Sequence, residues 1–286
     1  MAAYRAQFHT SADGLSLYYR DYGDAADPRL PVICLPGLTR NSADFEDLAT
    51  HLSAGGRRVL SPDFRGRGKS AHDPEFMRYV PPTYAGDVIG LLAALGIGRA
   101  IFIGTSLGGI VTQLVALAAP AMVAGAVLND IGPELDPAGL ARIASYAGKQ
   151  GDPADWAAAV AQLREVNGDQ FPDLADAIWL KFARAVFVEK PDGGLRPNYD
   201  PKIGDAMRAA GPPADMWPIF AGLAQIPTLL LRGALSDLLA RSTVEKMKAA
   251  KPDLAVVEVT ARGHAPFLDE PEALAAIDAL IIRVEG

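Results

Sequence analysis

The apolar positions along the chain change period in a regular way. YRAQFHT and LSLYYRDYG flank an Asp13-Gly14 pair, and both runs are rich in strand-compatible residues, so an N-terminal β-hairpin is predicted. The short apolar run PVICLP comes next. A polar segment opening at Asn41 and Ser42 leads into a helical stretch to about Leu52, and the strand-like RRVLSPDF follows. From Tyr84 onward, Tyr84, Val88, Leu91, Leu92 and Leu95 recur at helical spacing, and RAIFIG reads as a short buried strand directly after them. GTSLGG then turns into the helix IVTQLVALA, and MVAGAVLN supplies a further strand. Such alternation predicts an α/β fold, a mostly parallel sheet covered by helices on both faces.

The rhythm breaks between about Gly132 and Trp217, where only helical stretches and loops rich in Pro, Gly and Asp are seen, with no strand-like run. One helix is predicted to open at Asp152-Pro153, with Trp156, Val160 and Leu163 on one face. Another, from about Pro172, aligns Leu174, Ile178, Phe182 and Val186 and turns Trp179 elsewhere. Sheet rhythm resumes with IPTLLLRG and a helix whose start, Ser242-Thr243-Val244-Glu245, fits a capping box. LAVVEVT is the last strand, and a helix opening near Pro271 carries Leu274, Ile277 and Ile281 on one face. The expected organisation is a core over 1–132 and 218–286 with a helical insertion over 133–217.

Composition narrows the function. Half of the 286 residues are apolar, enough for a substantial core, and a net charge of −7 leaves no basic field for nucleic acid. The opening MAAYRAQFHTSADG lacks a basic-then-apolar leader, and no apolar run approaches the ~20 residues that span a bilayer, so a soluble, cytoplasmic protein with no membrane partner is expected. The single cysteine, Cys34, lies in a β-rich run and reads as a buried structural thiol. His9, His51, His72 and His264 are scattered, with no HExxH or cysteine-histidine cluster, so no metal and no cofactor are expected.

Two motifs compete for the chemistry. DFRGRGKS, residues 63–70, misses the P-loop pattern GxxxxGK[ST] by one residue, Asp63 standing in place of the first Gly, and AGAVLND ends on Asp130 as a magnesium-holding strand would. Pro62-Asp63 cannot easily wrap a phosphate, however, and no helical pattern opens at Lys69. GTSLGG matches GxSxG in the context that pattern requires, after a strand and before a helix. There Gly104 and Gly108 let the backbone pass closely while Ser106 is held at the apex of the turn. A serine hydroxyl is a poor nucleophile at neutral pH and needs a histidine to take its proton and a carboxylate to orient that histidine. His264, in ARGHAPF, follows the last strand at the carboxyl edge of the sheet. Asp237, closing the loop after LLLRG, gives the chain order Ser, Asp, His and is placed ahead. Asp130, ending a strand at the same edge, is the rival.

Taken in order, LPGL, DFRGRGKS, GTSLGG, LRGALSD and GHAPF resemble the α/β-hydrolase family over nearly the whole chain. The resemblance implies a cap inserted after the sixth strand, an oxyanion hole from the backbone N–H groups of Leu38 and Leu107, and catalysis by Ser106, Asp237 and His264. It also implies that DFRGRGKS is a tight structural turn in which Arg and Asp tie loops together. Pro36 is a departure, since many relatives carry His before that Gly. A serine at the elbow argues against haloalkane dehalogenase and epoxide hydrolase chemistry, which in this family use a carboxylate nucleophile. The expected substrate is a small apolar ester-like molecule, with Trp156, Trp179, Phe182, Phe187, Tyr199 and Trp217 as candidate pocket residues. A carboxylic ester or lactone is the first expectation. Carbon-carbon hydrolysis of a dienoic ring-cleavage product is second and acyl or peracid transfer third. A ligand-binding member of the fold without turnover is the alternative from another class.

Overall fold

A computed structural model describes residues 4–211 and 214–286. The N-terminal hairpin is present as β1 (Arg5–Thr10) and β2 (Ser16–Tyr22), paired antiparallel. The alternating region follows as β3 (Val32–Leu35), α1 (Glu46–Ser53), β4 (Val59–Pro62), α2 (Pro81–Ala94), β5 (Ala100–Thr105), α3 (Leu107–Ala118) and β6 (Val123–Asn129). The segment between β6 and the next strand of the main sheet holds α4 (Pro137–Tyr146), α5 (Trp156–Asn167), α6 (Asp176–Val186), β7 (Phe187–Glu189), β8 (Leu195–Pro197), α7 (Lys202–Ala209) and α8 (Trp217–Ala221). The chain then returns through β9 (Thr228–Gly233), α9 (Arg241–Ala250), β10 (Ala255–Val259) and α10 (Pro271–Glu285).

The main sheet has eight strands in the order β1-β2-β4-β3-β5-β6-β9-β10, parallel from β4 to β10, with β2 antiparallel to β4. Its central strands are buried on both sides, which is why they are continuous apolar runs rather than alternating ones. Ile33, Leu35, Phe102, Leu128 and Leu230 point into the face packed by α2 and α3. Their neighbours Cys34, Ile101, Ile103, Val127 and Leu229 point into the opposite face, covered by α1 and α10. Cys34 is fully buried, and burial pushes its thiol far above the ordinary range, so it is a packing residue.

The α5–α6 part of the insertion forms a separate apolar cluster around Leu163, Phe171, Trp179, Ala183, Val186 and Phe187, while Ile143, Ala147, Tyr199, Ile203 and Ala206 of the same insertion pack into the main core. Four local expectations are corrected there and nearby. The insertion does contain strands, the short antiparallel pair β7 and β8. α5 is capped by Asp155, whose carboxylate accepts from the Ala158 N–H at 2.8 Å, rather than opening at Asp152. On α6 the fully buried face is Trp179, Ala183 and Val186, while Ile178 and Phe182 are only half-buried on another side. Apolar residues lie on more than one side of that helix, so a single apolar stripe does not identify the core face. α9 starts at Arg241 without a side-chain cap.

DFRGRGKS forms a closed turn around its own aspartate. The Asp63 carboxylate accepts from the Ser42 N–H at 2.7 Å and the Lys69 N–H at 2.8 Å, and the Ser70 hydroxyl donates to the Asp63 carbonyl at 2.7 Å. Gly68, at φ +56°, could carry no side chain, because a Cβ would sit 2.0 Å from Asp63 Oδ2. The space a phosphate would occupy in a P-loop is filled by a side chain. Arg65, 2 % exposed, draws the turn onto Asp13, Asp73 and Asp87 with contacts of 2.6 to 2.7 Å. Among the described residues no helix is long and apolar enough to cross a membrane.

Removing Arg65 would leave the buried Asp87 carboxylate without a counter-charge and Asp13 and Asp73 with Arg78 alone, and breaking a buried pair in this way typically costs about 3 kcal/mol or more. Arg65→Ala is expected to lower the urea unfolding free energy by about that amount. A loss below about 1 kcal/mol would show that these carboxylates are hydrated in the native state.

Candidate active site

β5 runs into the sheet edge and reverses into α3 within one residue, Ser106, at φ +52° and ψ −114°. This is an unfavourable conformation for a residue with a side chain, costing on the order of 1 to 3 kcal/mol, and it persists because the surroundings over-determine it. The Ser106 N–H donates to the Asn129 carbonyl on β6 at 2.9 Å, and α3 begins at the next residue. A Cβ on Gly104 would lie 2.3 Å from the Gly108 carbonyl oxygen, and one on Gly108 would lie 2.0 Å from that of Leu35. Both glycines are therefore obligatory for the turn, and Ser106 projects from its apex.

His264, on the loop after β10, meets this serine: Nε2 lies 2.9 Å from Ser106 Oγ. Its loop is held from two sides. The Gln170 side-chain oxygen, from the insertion, accepts from the His264 N–H at 3.0 Å, and Asn129 Nδ2 donates to the Pro266 carbonyl at 2.9 Å. The other ring nitrogen, Nδ1, lies 2.8 Å from Asp130 Oδ2. Asp130 is fully buried and saturated with donors, for Oδ1 accepts from the Gly233 N–H at 2.9 Å and Oδ2 from the Ser236 hydroxyl at 2.6 Å.

The expectation that Asp237 orients the histidine is thereby corrected. Asp237 is engaged by Arg142 of α4, whose Nε and Nη2 donate to its two oxygens at 2.6 and 2.9 Å. Arg142 also donates to Asn167 of α5 at 3.1 Å. β6 and β9 are neighbours in the sheet, so both aspartates emerge at the same edge. A guanidinium 95 residues upstream, brought by the insertion, engages Asp237, and Asp130 is the one that faces His264. Ser236 and Asp237 divide the work of that loop: the serine holds Asp130, the aspartate holds the insertion.

The loop after β3 passes beside the elbow, since a Cβ on Gly37 would stand 3.9 Å from Ser106 Cβ. The Gly37 carbonyl accepts from the Arg40 N–H at 3.2 Å, and the Leu38 carbonyl accepts from Arg67 Nε at 2.9 Å. In a trans peptide the N–H points opposite to the carbonyl before it, so this turn directs the Leu38 N–H away from its own interior. Among the described residues, neither Leu38 nor Leu107 donates its amide to a turn, loop or side-chain acceptor. Both are free to face an oxyanion. Arg67 is fully buried with no carboxylate partner among the described residues; it is held by the Tyr84 hydroxyl at 2.8 Å and the face of the Tyr84 ring at 4.7 Å. It braces this loop from beneath, independently of the Pro36 departure.

The cleft above Ser106 and His264 has a volume of about 110 Å³ and is bounded by the core loops and by the insertion, including Ile143, Tyr146, Leu163 and Phe182. Of the six aromatic residues proposed as lining, Phe182 alone is part of it. Trp179 and Phe187 are buried in the core of the insertion. Tyr199 is buried with its hydroxyl accepting from the Gly148 N–H, Trp217 donates to Glu134, and Trp156 donates to Glu189. The lining missed from sequence includes Arg40, Phe171 and Phe267. Phe267 was within reach, being three residues past His264 in a motif already singled out.

The Arg142–Asp237 pair ties insertion to core. Burial pushes the Asp237 carboxyl up, but the Arg142 guanidinium outweighs it and holds the group below the usual carboxylate range. A depressed folded value means that the stabilisation is complete above the unfolded-state value near ~3.9 and is lost as pH falls through the folded one. Asp237→Asn is expected to be less stable than wild type by about 1 kcal/mol at pH 7, with the gap closing as pH is lowered from 6 to 3 in urea titrations. An undiminished gap at pH 3 would exclude this pair as its source.

Comparison with known proteins agrees with this geometry. The model of the alpha/beta hydrolase family matches residues 32–277. The chain is 34% identical over 268 residues to the 3-hydroxybutyrate-oligomer hydrolase of Cupriavidus necator, covering 90% of this chain and 89% of that protein. It is 32% identical to the 2-(acetamidomethylene)succinate hydrolase of Mesorhizobium japonicum, covering 80% of this chain and 79% of that one. The crystal structure of an alpha/beta hydrolase from Novosphingobium aromaticivorans superposes with a TM-score of 0.93 at 47% identity, covering 99% of both chains. A parallel sheet with a strained serine at its carboxyl edge, matched over most of its length by this family, identifies the chain as a member of the alpha/beta hydrolase family.

Proposed function

We propose that the protein is a serine hydrolase of small carboxylic esters, acting through an acyl-enzyme, with the insertion serving as the cap that selects substrate. The observation that carries this reading is the unbroken chain from Ser106 Oγ through His264 Nε2 and Nδ1 to Asp130, at 2.9 and 2.8 Å. Ser106 attacks the ester carbonyl carbon as His264 Nε2 takes the hydroxyl proton. The negative charge on the carbonyl oxygen is met by the Leu38 and Leu107 amides, the term that usually dominates such catalysis. His264 then gives its proton to the departing alkoxide, leaving the acyl group on Ser106. Water, deprotonated by the same nitrogen, releases the acid. Asp130 fixes the tautomer and stabilises the imidazolium.

An ester is favoured because the relative named as a 3-hydroxybutyrate-oligomer hydrolase, whose named substrate is an oligoester, shares more identity over a larger share of both chains than the 2-(acetamidomethylene)succinate hydrolase does. The latter supports a second reading, in which the acyl group comes from an acetamide-bearing dicarboxylate. Carbon-carbon hydrolysis of a dienoate would use the same three groups. A panel of esters, lactones, acetamides and dienoates separates these readings. Cleavage of the ester series is the expected outcome, and turnover confined to dienoates or acetamides would replace the reading.

Ser106→Ala is expected to lower kcat on the order of a millionfold. Asp130→Asn should cost about ten-thousandfold, whereas Asp237→Asn should keep kcat within about tenfold. p-Nitrophenyl acetate turnover with active-site titration by a fluorophosphonate measures all three. Equal losses in the two aspartate variants would overturn the assignment of Asp130.

A further inference from the structure

Beside the catalytic cleft lies a larger groove, about 460 Å³ against the cleft's 110 Å³, between the start of α1 and the exposed side of α6. The two cavities share Arg40, Asp44, Phe182 and Phe267. What separates them is made of side chains. The Arg40 guanidinium lies 4.1 Å over the Phe182 ring, Asp44 holds that guanidinium with contacts of 2.6 and 2.5 Å, and Phe267 meets Phe182 edge-on at 5.6 Å. A partition made of side chains is opened by rotamer changes rather than by backbone movement.

Their linings differ in chemistry. In the cleft, Ile143, Leu163, Phe171 and Val186 surround the serine with apolar atoms, suited to a short acyl unit. In the groove the walls are mixed: Ile178 and Leu180 alternate with the ion pairs Arg20–Glu46 and Lys181–Asp47. Arg184 also lines the groove and, alone among its cations, has no carboxylate partner among the described residues; its guanidinium rests 5.8 Å from the Trp156 ring centre. A solvated groove with an uncommitted guanidinium, opening off a small apolar cleft, fits a chain that is ester at one end and carboxylate at the other.

We propose that this groove is a second substrate subsite, which takes the leaving-group arm of an extended hydroxy-acid ester and meets its terminal carboxylate with Arg184. The inference rests on the ester reading above. In the reaction the bond between carbonyl carbon and ester oxygen breaks, the acyl unit stays on Ser106 in the cleft, and the alkoxide of the arm receives the proton from His264. The hydroxy acid so formed leaves through the groove, past Arg40 and Phe182.

The test compares p-nitrophenyl acetate with the dimer and trimer of 3-hydroxybutyrate, each as free acid and as methyl ester, in wild type, Ala177→Trp and Arg184→Ala. Ala177 lines the groove and not the cleft, so a Trp there plugs the subsite. The expected result is a fall of at least tenfold in the ratio of kcat/KM for the trimer to that for p-nitrophenyl acetate in Ala177→Trp. In Arg184→Ala, KM should rise about fivefold for the free-acid trimer and not for its methyl ester. Ratios within twofold of wild type in both variants overturn the subsite, and thermal melts establish that both are folded; should the Trp variant not fold, the Arg184 pair of substrates decides. Wild type that cleaves p-nitrophenyl acetate but neither oligomer refutes the subsite and leaves the ester reading standing. Wild type that cleaves no ester removes both.

Discussion

A carboxylate with no exposure to water must find its stabilisation within the protein, and the way Asp130 finds it organises the whole edge of the sheet. Three donors come from three places: the backbone at the end of β9, the hydroxyl of Ser236 in the following loop, and the imidazole beyond β10. None is adjacent to Asp130 in sequence, and all must be in place together. The loops after β9 and β10 are thus tied to the end of β6, and His264 is delivered to a serine that is itself bonded through its N–H to Asn129, the residue before Asp130. Site geometry and strand termini are one network. Strain at Ser106 is tolerable because the same network and the two glycine contacts leave no relaxed alternative.

The insertion is fastened by polar contacts at this edge and by apolar ones, since Ile143, Ala147, Tyr199, Ile203 and Ala206 belong to the same cluster as the sheet residues Leu35, Phe102 and Leu128. Gln170 holds the histidine loop through the N–H groups of Gly263 and His264, Arg142 grips Asp237, and Asn41 donates to the Ala185 carbonyl at 2.6 Å. The apolar cluster around Trp179 and Phe187 reaches the core through Phe267 of the histidine loop, which packs on Phe171 and Phe182. The cleft lies between the two parts and is lined by both. Large aromatics in the insertion were poor guides to the lining because five of the six pack elsewhere, Trp156, Trp179 and Phe187 in the insertion's own cluster and Tyr199 and Trp217 in or against the main core, while smaller aliphatics and loop phenylalanines from several elements form the walls.

Beneath the site, buried arginines with opposite electrostatic settings brace the loops. Arg65 is surrounded by carboxylates, and Arg67, two residues on, is surrounded by carbonyls, a phenol and aromatic faces. The first locks the turn that resembles a phosphate-binding loop, and the second reaches the carbonyl of Leu38. A motif read for its lysine and serine turns out to matter for its arginines.

Much was legible in the chain because it depends on local chemistry. The continuous apolar runs read as strands became strands of the main sheet, whereas the insertion's three-residue pair, FVE and LRP, carries no such run and went unseen. GTSLGG announces the elbow, since only glycine tolerates those approaches and the motif sits between a strand and a helix. His264 follows from elimination among four histidines and from its place after the last strand. The identity of its carboxylate partner does not follow. Asp130 and Asp237 end neighbouring strands with equal local credentials, and the choice between them is made by the φ of +55° at Asp130, by a hydroxyl one residue before Asp237, and by Arg142 arriving from the insertion. Likewise the buried face of α6 and the lining of the cleft depend on what covers each side of a helix. Periodicity along a chain reports that a residue is apolar at a given angle; only packing decides what stands opposite it.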